Sequence, residues 1–95
     1  MIRFELPYVI FNNLTYALVY ERDGDFECGM ATPETLMGEE INILFMNDNG
    51  LISDKDRTPI GNIDDITEVG DLSVATEEET MKTLIKSLAE MTKKK

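Results

Sequence analysis

The chain has 95 residues, 42% of them apolar, with 19 Asp plus Glu against 9 Lys plus Arg, no His, and a net charge of −10. That balance disfavours direct nucleic-acid binding, which needs a Lys/Arg footprint, and contact with anionic membranes. The absence of His excludes a Ser-His-Asp triad, papain-like chemistry on Cys28 and histidine-ligated zinc.

The charge is concentrated. From Glu21 to Glu79 there are seventeen acids against Arg22, Lys55 and Arg57, a net of −14 over 59 residues. Solubility alone asks for a net charge of only about −2 to −8 in a small domain. Self-repulsion lowers stability, so an excess of this size calls for a use. The length fits a single compact domain spanning residues 1–95. The aromatic and β-branched content is too high for a disordered acidic tail. One cysteine permits no internal disulfide, and no signal-like start or membrane-length apolar run stands out. Both point to the cytoplasm.

In chain order, Ile2, Phe4, Leu6, Tyr8 and Ile10 alternate with Arg3 and Glu5, which predicts a half-buried strand edged by Pro7. Asn12-Asn13 predicts a turn, and Leu14 to Tyr20 a second strand. A three-residue loop, Arg22-Asp23-Gly24, would then pair Glu21 with Asp25, Tyr20 with Phe26, Val19 with Glu27 and Leu18 with Cys28. In that register Tyr16, Leu18, Tyr20, Phe26, Cys28 and Met30 share one core face. Glu21, Asp25 and Glu27 then share the other.

Thr32-Pro33-Glu34 predicts a capped helical turn near residues 33–38 that stops at Gly38. Ile41 to Met46 reads as a strand, although a helix from Pro33 to Met46 also fits the spacing. Asn49-Gly50 is a two-residue hairpin signal leading into Leu51-Ile52-Ser53. Asp54 to Asp65 reads as a loop, and Ile66 to Val74 as a strand with an irregularity at Gly70. A C-terminal amphipathic helix follows, with Thr76 and Glu79 as a capping box and Met81, Leu84, Ile85 and Leu88 as its apolar stripe. Lys93 to Lys95 form a frayed basic tail. The expected fold is therefore α+β, an antiparallel sheet of about four to five strands with that helix.

Several motifs carry chemistry elsewhere. Asp54-Lys55-Asp56-Arg57-Thr58 resembles the nucleophile motif of haloacid-dehalogenase phosphatases, but only 37 residues follow it, too few for a βαβ sheet. Asn47 to Ser53 resembles part of a calcium-binding loop, yet Phe45 stands where the first ligand belongs. Asp64-Asp65 and Glu39-Glu40 are neighbouring carboxylates without a ligand set. Paired carboxylates can hydrolyse glycosides, but a chain without Trp offers little wall for a sugar cleft. No catalytic residue, metal ligand or cofactor is expected.

The remaining use of the acids is a partner of opposite sign. Carboxylates two apart on a strand face lie about 6.6 Å apart, a regular array comparable with the fixed charges of DNA. The candidate partner-binding residues are Glu21, Asp23, Asp25, Glu27, Glu34, Glu39, Glu40, Asp64, Asp65, Glu68, Asp71, Glu77 and Glu78. Between Thr58 and Met81 there are seven acids and no base. In size, acidity and lack of catalytic residues the chain resembles the small acidic DNA-mimic proteins of bacteriophages, the Arn-type anti-restriction proteins in particular. The resemblance implies a non-enzymatic inhibitor that occupies the nucleic-acid-binding surface of a host protein such as a restriction nuclease. It also implies action in the host bacterial cytoplasm and allows a homodimer that lengthens the charged face. An adaptor module with an apolar contact is the alternative reading.

Overall fold

A computed structural model describes residues 1–22, 27–39 and 41–93. It is a mixed α+β fold with one antiparallel sheet and a C-terminal helix. The strands are β1 (Ile2–Phe11), β2 (Leu14–Arg22), β3 (Glu27–Ala31), β4 (Ile43–Asn47), β5 (Leu51–Ser53), β6 (Pro59–Asn62) and β7 (Ile66–Thr76). They lie in the order β6-β5-β4-β3-β2-β1-β7. The expected four to five strands are thus seven. The region read as a loop from Asp54 contains β6, whose Pro59, Gly61 and Asn62 all have low strand propensity and hid it.

The β1–β2 turn has both Asn12 and Asn13 at positive φ, 55° and 66°. This is the two-residue turn whose twist matches the flanking strands, and Asn tolerates it. The β4–β5 turn differs from the two-residue expectation. Met46 pairs with Ile52 and β5 begins at Leu51, so Asp48, Asn49 and Gly50 form a three-residue loop. Only Gly50 takes positive φ (81°), and Asn47 Oδ1 accepts from the Asn49 and Leu51 amides. That carbonyl is therefore spent on the turn.

The β2–β3 register also departs from expectation. Ala17 pairs with Ala31, Leu18 with Met30, Tyr20 with Gly29, Glu21 with Cys28 and Arg22 with Glu27. A bulge at Val19 inserts one residue, and beyond it every side chain changes face. Tyr20 therefore packs with the helix-side cluster while Tyr16, Leu18 and Met30 remain on the other face. The predicted single face is divided between two cores. Asp23, Asp25, Phe26 and the loop joining them lie outside the described residues.

One core lies under the helices. α1 (Pro33–Leu36) begins as predicted, with the Thr32 hydroxyl accepting from the Thr35 amide. Its Leu36 is buried with Ala17, Ala31, Ile43, Phe45 and Val74. α2 (Glu78–Lys93) covers this face with Met81, Leu84, Leu88 and Met91. Leu88 sits on Gly29, where an added Cβ would lie 3.3 Å from its methyl. Ile85, predicted in the stripe, is exposed. Thr76 does not cap α2; it ends β7, and its hydroxyl donates to the Leu36 carbonyl at 2.7 Å.

The second core, Phe11, Tyr16, Met30, Leu44 and Ile52, is buried with no helix over it. Curling of the sheet covers it. β6 and β7 end opposite edges of the strand order, yet a 3₁₀ turn at Ile63–Asp65 joins them directly. The two edges must meet there. Gly61 of β6 lies against the Phe11 ring so closely that a Cβ would come within 2.8 Å. The irregularity expected at Gly70 falls instead between Ile10 and Phe11, opposite Thr67.

Candidate functional site

The edge that β7 leaves open is where the structure gathers six of the thirteen predicted acids, with Glu79 beside them. Among the described residues β7 hydrogen-bonds as a strand to β1 alone, through ten registered pairs from Ile2–Thr76 to Phe11–Ile66. Its eleven residues at about 3.3 Å each give a strand some 35 Å long. Asp64 and Asp65 stand at its start, Glu68 and Asp71 along it, and Glu77, Glu78 and Glu79 just past its end. All seven are exposed.

Glu68 and Asp71 occupy opposite faces of the strand. Glu68 pairs with Ile10, in the same alternation as Leu72 and Val74 beneath the helices; Asp71 pairs with Pro7 on the other face. Among the described residues no cation lies in salt-bridge reach of Asp64, Asp65, Glu68 or Asp71. At the far end two acids are partly neutralised: Glu77 by the chain's amino terminus at 3.7 Å and Glu78 by Lys82 at 3.3 Å. Arg3 on β1 donates to Ser73 Oγ rather than to a carboxylate.

Two carboxylates on this edge are fixed by neighbours. Asp65 Oδ2 accepts the Asn62 amide while Asn62 Oδ1 accepts the Asp64 amide, a capping box on the 3₁₀ turn. The Asn62-x-x-Asp65 spacing was the signal in the sequence, overlooked because the stretch reads as a loop. The Tyr8 hydroxyl donates to Glu68 Oε2 at 2.6 Å. That bond stabilises the neutral phenol and raises the Tyr8 pKa, with smaller contributions from desolvation and from the Glu68 and Asp71 charges. The Tyr8 ring lies over its cross-strand partner Gly70, whose missing side chain makes the room.

Other predicted acids lie apart from the β7 edge. Glu39 borders a groove of about 670 Å³ between α2 and the α1–β4 connection, and Glu34 is exposed on α1. Glu21 is exposed beside Cys28, not opposite Asp25. Glu27 turns towards the helix side and pairs with Arg57, with only 12% of its side chain exposed. Asp23, Asp25 and Glu40 lie outside the described residues.

The tempting motifs have structural duties. Asp54 Oδ1 accepts from the Asp56 and Thr58 amides and closes its own loop. Arg57 donates to Glu27 and to the Met91 carbonyl, and its guanidinium stacks 4.2 Å above the Phe45 ring. Nothing in the sequence distinguished it from a solvated loop base. Cys28 is buried, as the apolar pattern predicted, and burial pushes its thiol up to about 11. Among the described residues no three Cys, Asp or Glu side chains converge on a point where they could hold a metal ion. No helix among them is long and apolar enough to cross a membrane.

Comparison of the chain with models of known protein families, with curated proteins and with solved structures finds no match to any of them.

Proposed function

We propose that the protein is a non-enzymatic inhibitor that presents DNA-like charge and occupies the nucleic-acid-binding surface of a basic host protein, such as a restriction nuclease in the bacterial cytoplasm. The observation that supports this reading is the β7 edge. It is a strand carrying carboxylates along its length, with no cation among the described residues in salt-bridge reach of the four from Asp64 to Asp71. A surface built for phosphates meets fixed negative charges there and no backbone to cleave. The contact is electrostatic, so salt screens it. Capture on the immobilised protein from bacterial lysate tests this. A DNA-binding protein should be retained at low salt and released both by high salt and by added duplex DNA. Retention that ignores salt and DNA contradicts it.

A second reading, an interaction module with an apolar contact, draws on the groove between α2 and the α1–β4 connection. Ile41 is 66% exposed at its border, and Met37 nearby is 47% exposed. A partner bound there would respond weakly to salt.

A further inference from the structure

We infer that β7 takes up an added strand: an extended, basic segment of the partner pairs antiparallel or parallel with its free edge, so that backbone hydrogen bonds set the register and the acids read the charge. The inference rests on the inhibitor reading above and specifies how that partner is held.

The parity of the β1 ladders carries it. A two-residue turn closes on a hydrogen-bonded pair, here Phe11 with Leu14. The backbone groups of Phe11, Val9 and Pro7 therefore aim at β2, and those of Ile10, Tyr8, Leu6, Phe4 and Ile2 aim at β7. Two observations agree. The Thr67 hydroxyl, on β7, donates to the Ile10 carbonyl. Pro7, which has no amide hydrogen, falls where it takes no donor from the β1–β7 ladder, and the β1–β2 ladder stops one pair short of it at Tyr8–Ala17. On β7 the partners of the even residues use their backbone groups inward. Val69, Asp71, Ser73 and Ala75 are left with amide and carbonyl groups aimed away from β1. Among the described residues no backbone hydrogen bond reaches that side.

An unpaired edge of this length is a template for another strand unless something blunts it. Here nothing among the described residues pairs with it, and Val69, 70% exposed, offers an apolar foothold at its middle. Charge decides the occupant. A second copy docked edge to edge brings two sets of the same seven acids together, and the central antiparallel registers set Asp71 opposite or diagonal to its own copy. A segment with Lys or Arg at alternating positions instead places its bases along Glu68 or Asp71 while its backbone completes the ladder.

The probe is an end-blocked peptide of about nine residues alternating Lys and Thr, with a second peptide of the same sequence and charge N-methylated on the pairing amides. Binding to the full chain is followed at low salt by amide exchange. Protection should appear at Val69, Asp71, Ser73 and Ala75, and N-methylation should weaken binding about tenfold. Ser73→Pro and Ala75→Pro remove an outward amide without touching the β1 ladder and should weaken it comparably, with circular dichroism unchanged. Equal binding of the N-methylated peptide, or protection at β6 instead, overturns strand addition. If Asp64→Asn, Glu68→Gln and Asp71→Asn together still weaken that equal binding, only the strand geometry has failed, and the charge-mimic reading stands.

Discussion

The Arg57 guanidinium donates to Glu27 Oε2 at 2.5 Å and ties the loop after β5 to β3. The same guanidinium donates to the Met91 carbonyl near the end of α2 and stacks on Phe45. One of only three bases between Glu21 and Glu79 is therefore spent inside the fold. Its Glu27 partner is nearly enclosed, with Oε1 lacking a hydrogen-bond partner among the described residues.

Arg57→Ala should cost about 2–4 kcal/mol, less than a fully buried pair because a third of Arg57 is exposed. Glu27→Gln combined with Arg57→Ala should cost less than the two single changes together, since neither charge is then left alone. Urea denaturation of the four proteins measures both.

At the β1–β7 pair, Gly70→Ala places a Cβ 2.9 Å from the Tyr8 ring and should cost about 1–3 kcal/mol. Tyr8→Ala combined with Gly70→Ala should recover part of it. Thermal denaturation of the single and double variants decides. A loss unchanged by removing the ring would mean that the glycine is needed for its backbone.

The same tyrosine gives a pH dependence. Its folded pKa is raised above the ordinary 10.0 because the neutral hydroxyl donates to Glu68. The contribution is therefore complete below the unfolded value and lost as pH rises through the folded one. Stability should fall above about pH 10, and Tyr8→Phe should flatten part of that fall. Absorbance titration of the phenolates against the variant separates Tyr8 from Tyr16, whose burial also raises its pKa.

Cys28 carries the same sign. Burial raises its thiol to about 11, so the folded protein keeps it neutral. Ellman's reagent at about pH 8 should leave the native thiol unmodified and react once denaturant is added. Rapid native modification would place Cys28 at the surface.

How far the sequence carried this structure depended on local chemistry. Thr32-Pro33 and Asn12-Asn13 fix their turns through capping and backbone preference, so both were legible. The Val19 bulge was not. A bulge answers to packing across strands, here to Tyr20 entering the helix-side core, and leaves no local pattern. β6 was lost because closing the curl requires Gly61 against Phe11, and glycine argues against a strand. Of the candidate acids, the run from Asp64 to Asp71 shares an edge because one chain segment carries it. Glu27 keeps its predicted face, opposite Cys28 and Met30, but that face lies under α2 rather than in solvent, and Arg57 meets it there.

Asp65 caps the 3₁₀ turn, so the test of charge mimicry should spare it. The most direct measurement compares the wild-type protein with Asp64→Asn/Glu68→Gln/Asp71→Asn as inhibitors of DNA cleavage by the nuclease captured from lysate. Matched denaturation curves establish equal folding. The wild type should inhibit at low salt, lose at least tenfold in potency between about 50 and 200 mM salt, and yield to competing DNA. The triple variant should be far weaker throughout. Equal inhibition by the two proteins, indifferent to salt, would contradict a role for the β7 edge as a stand-in for DNA.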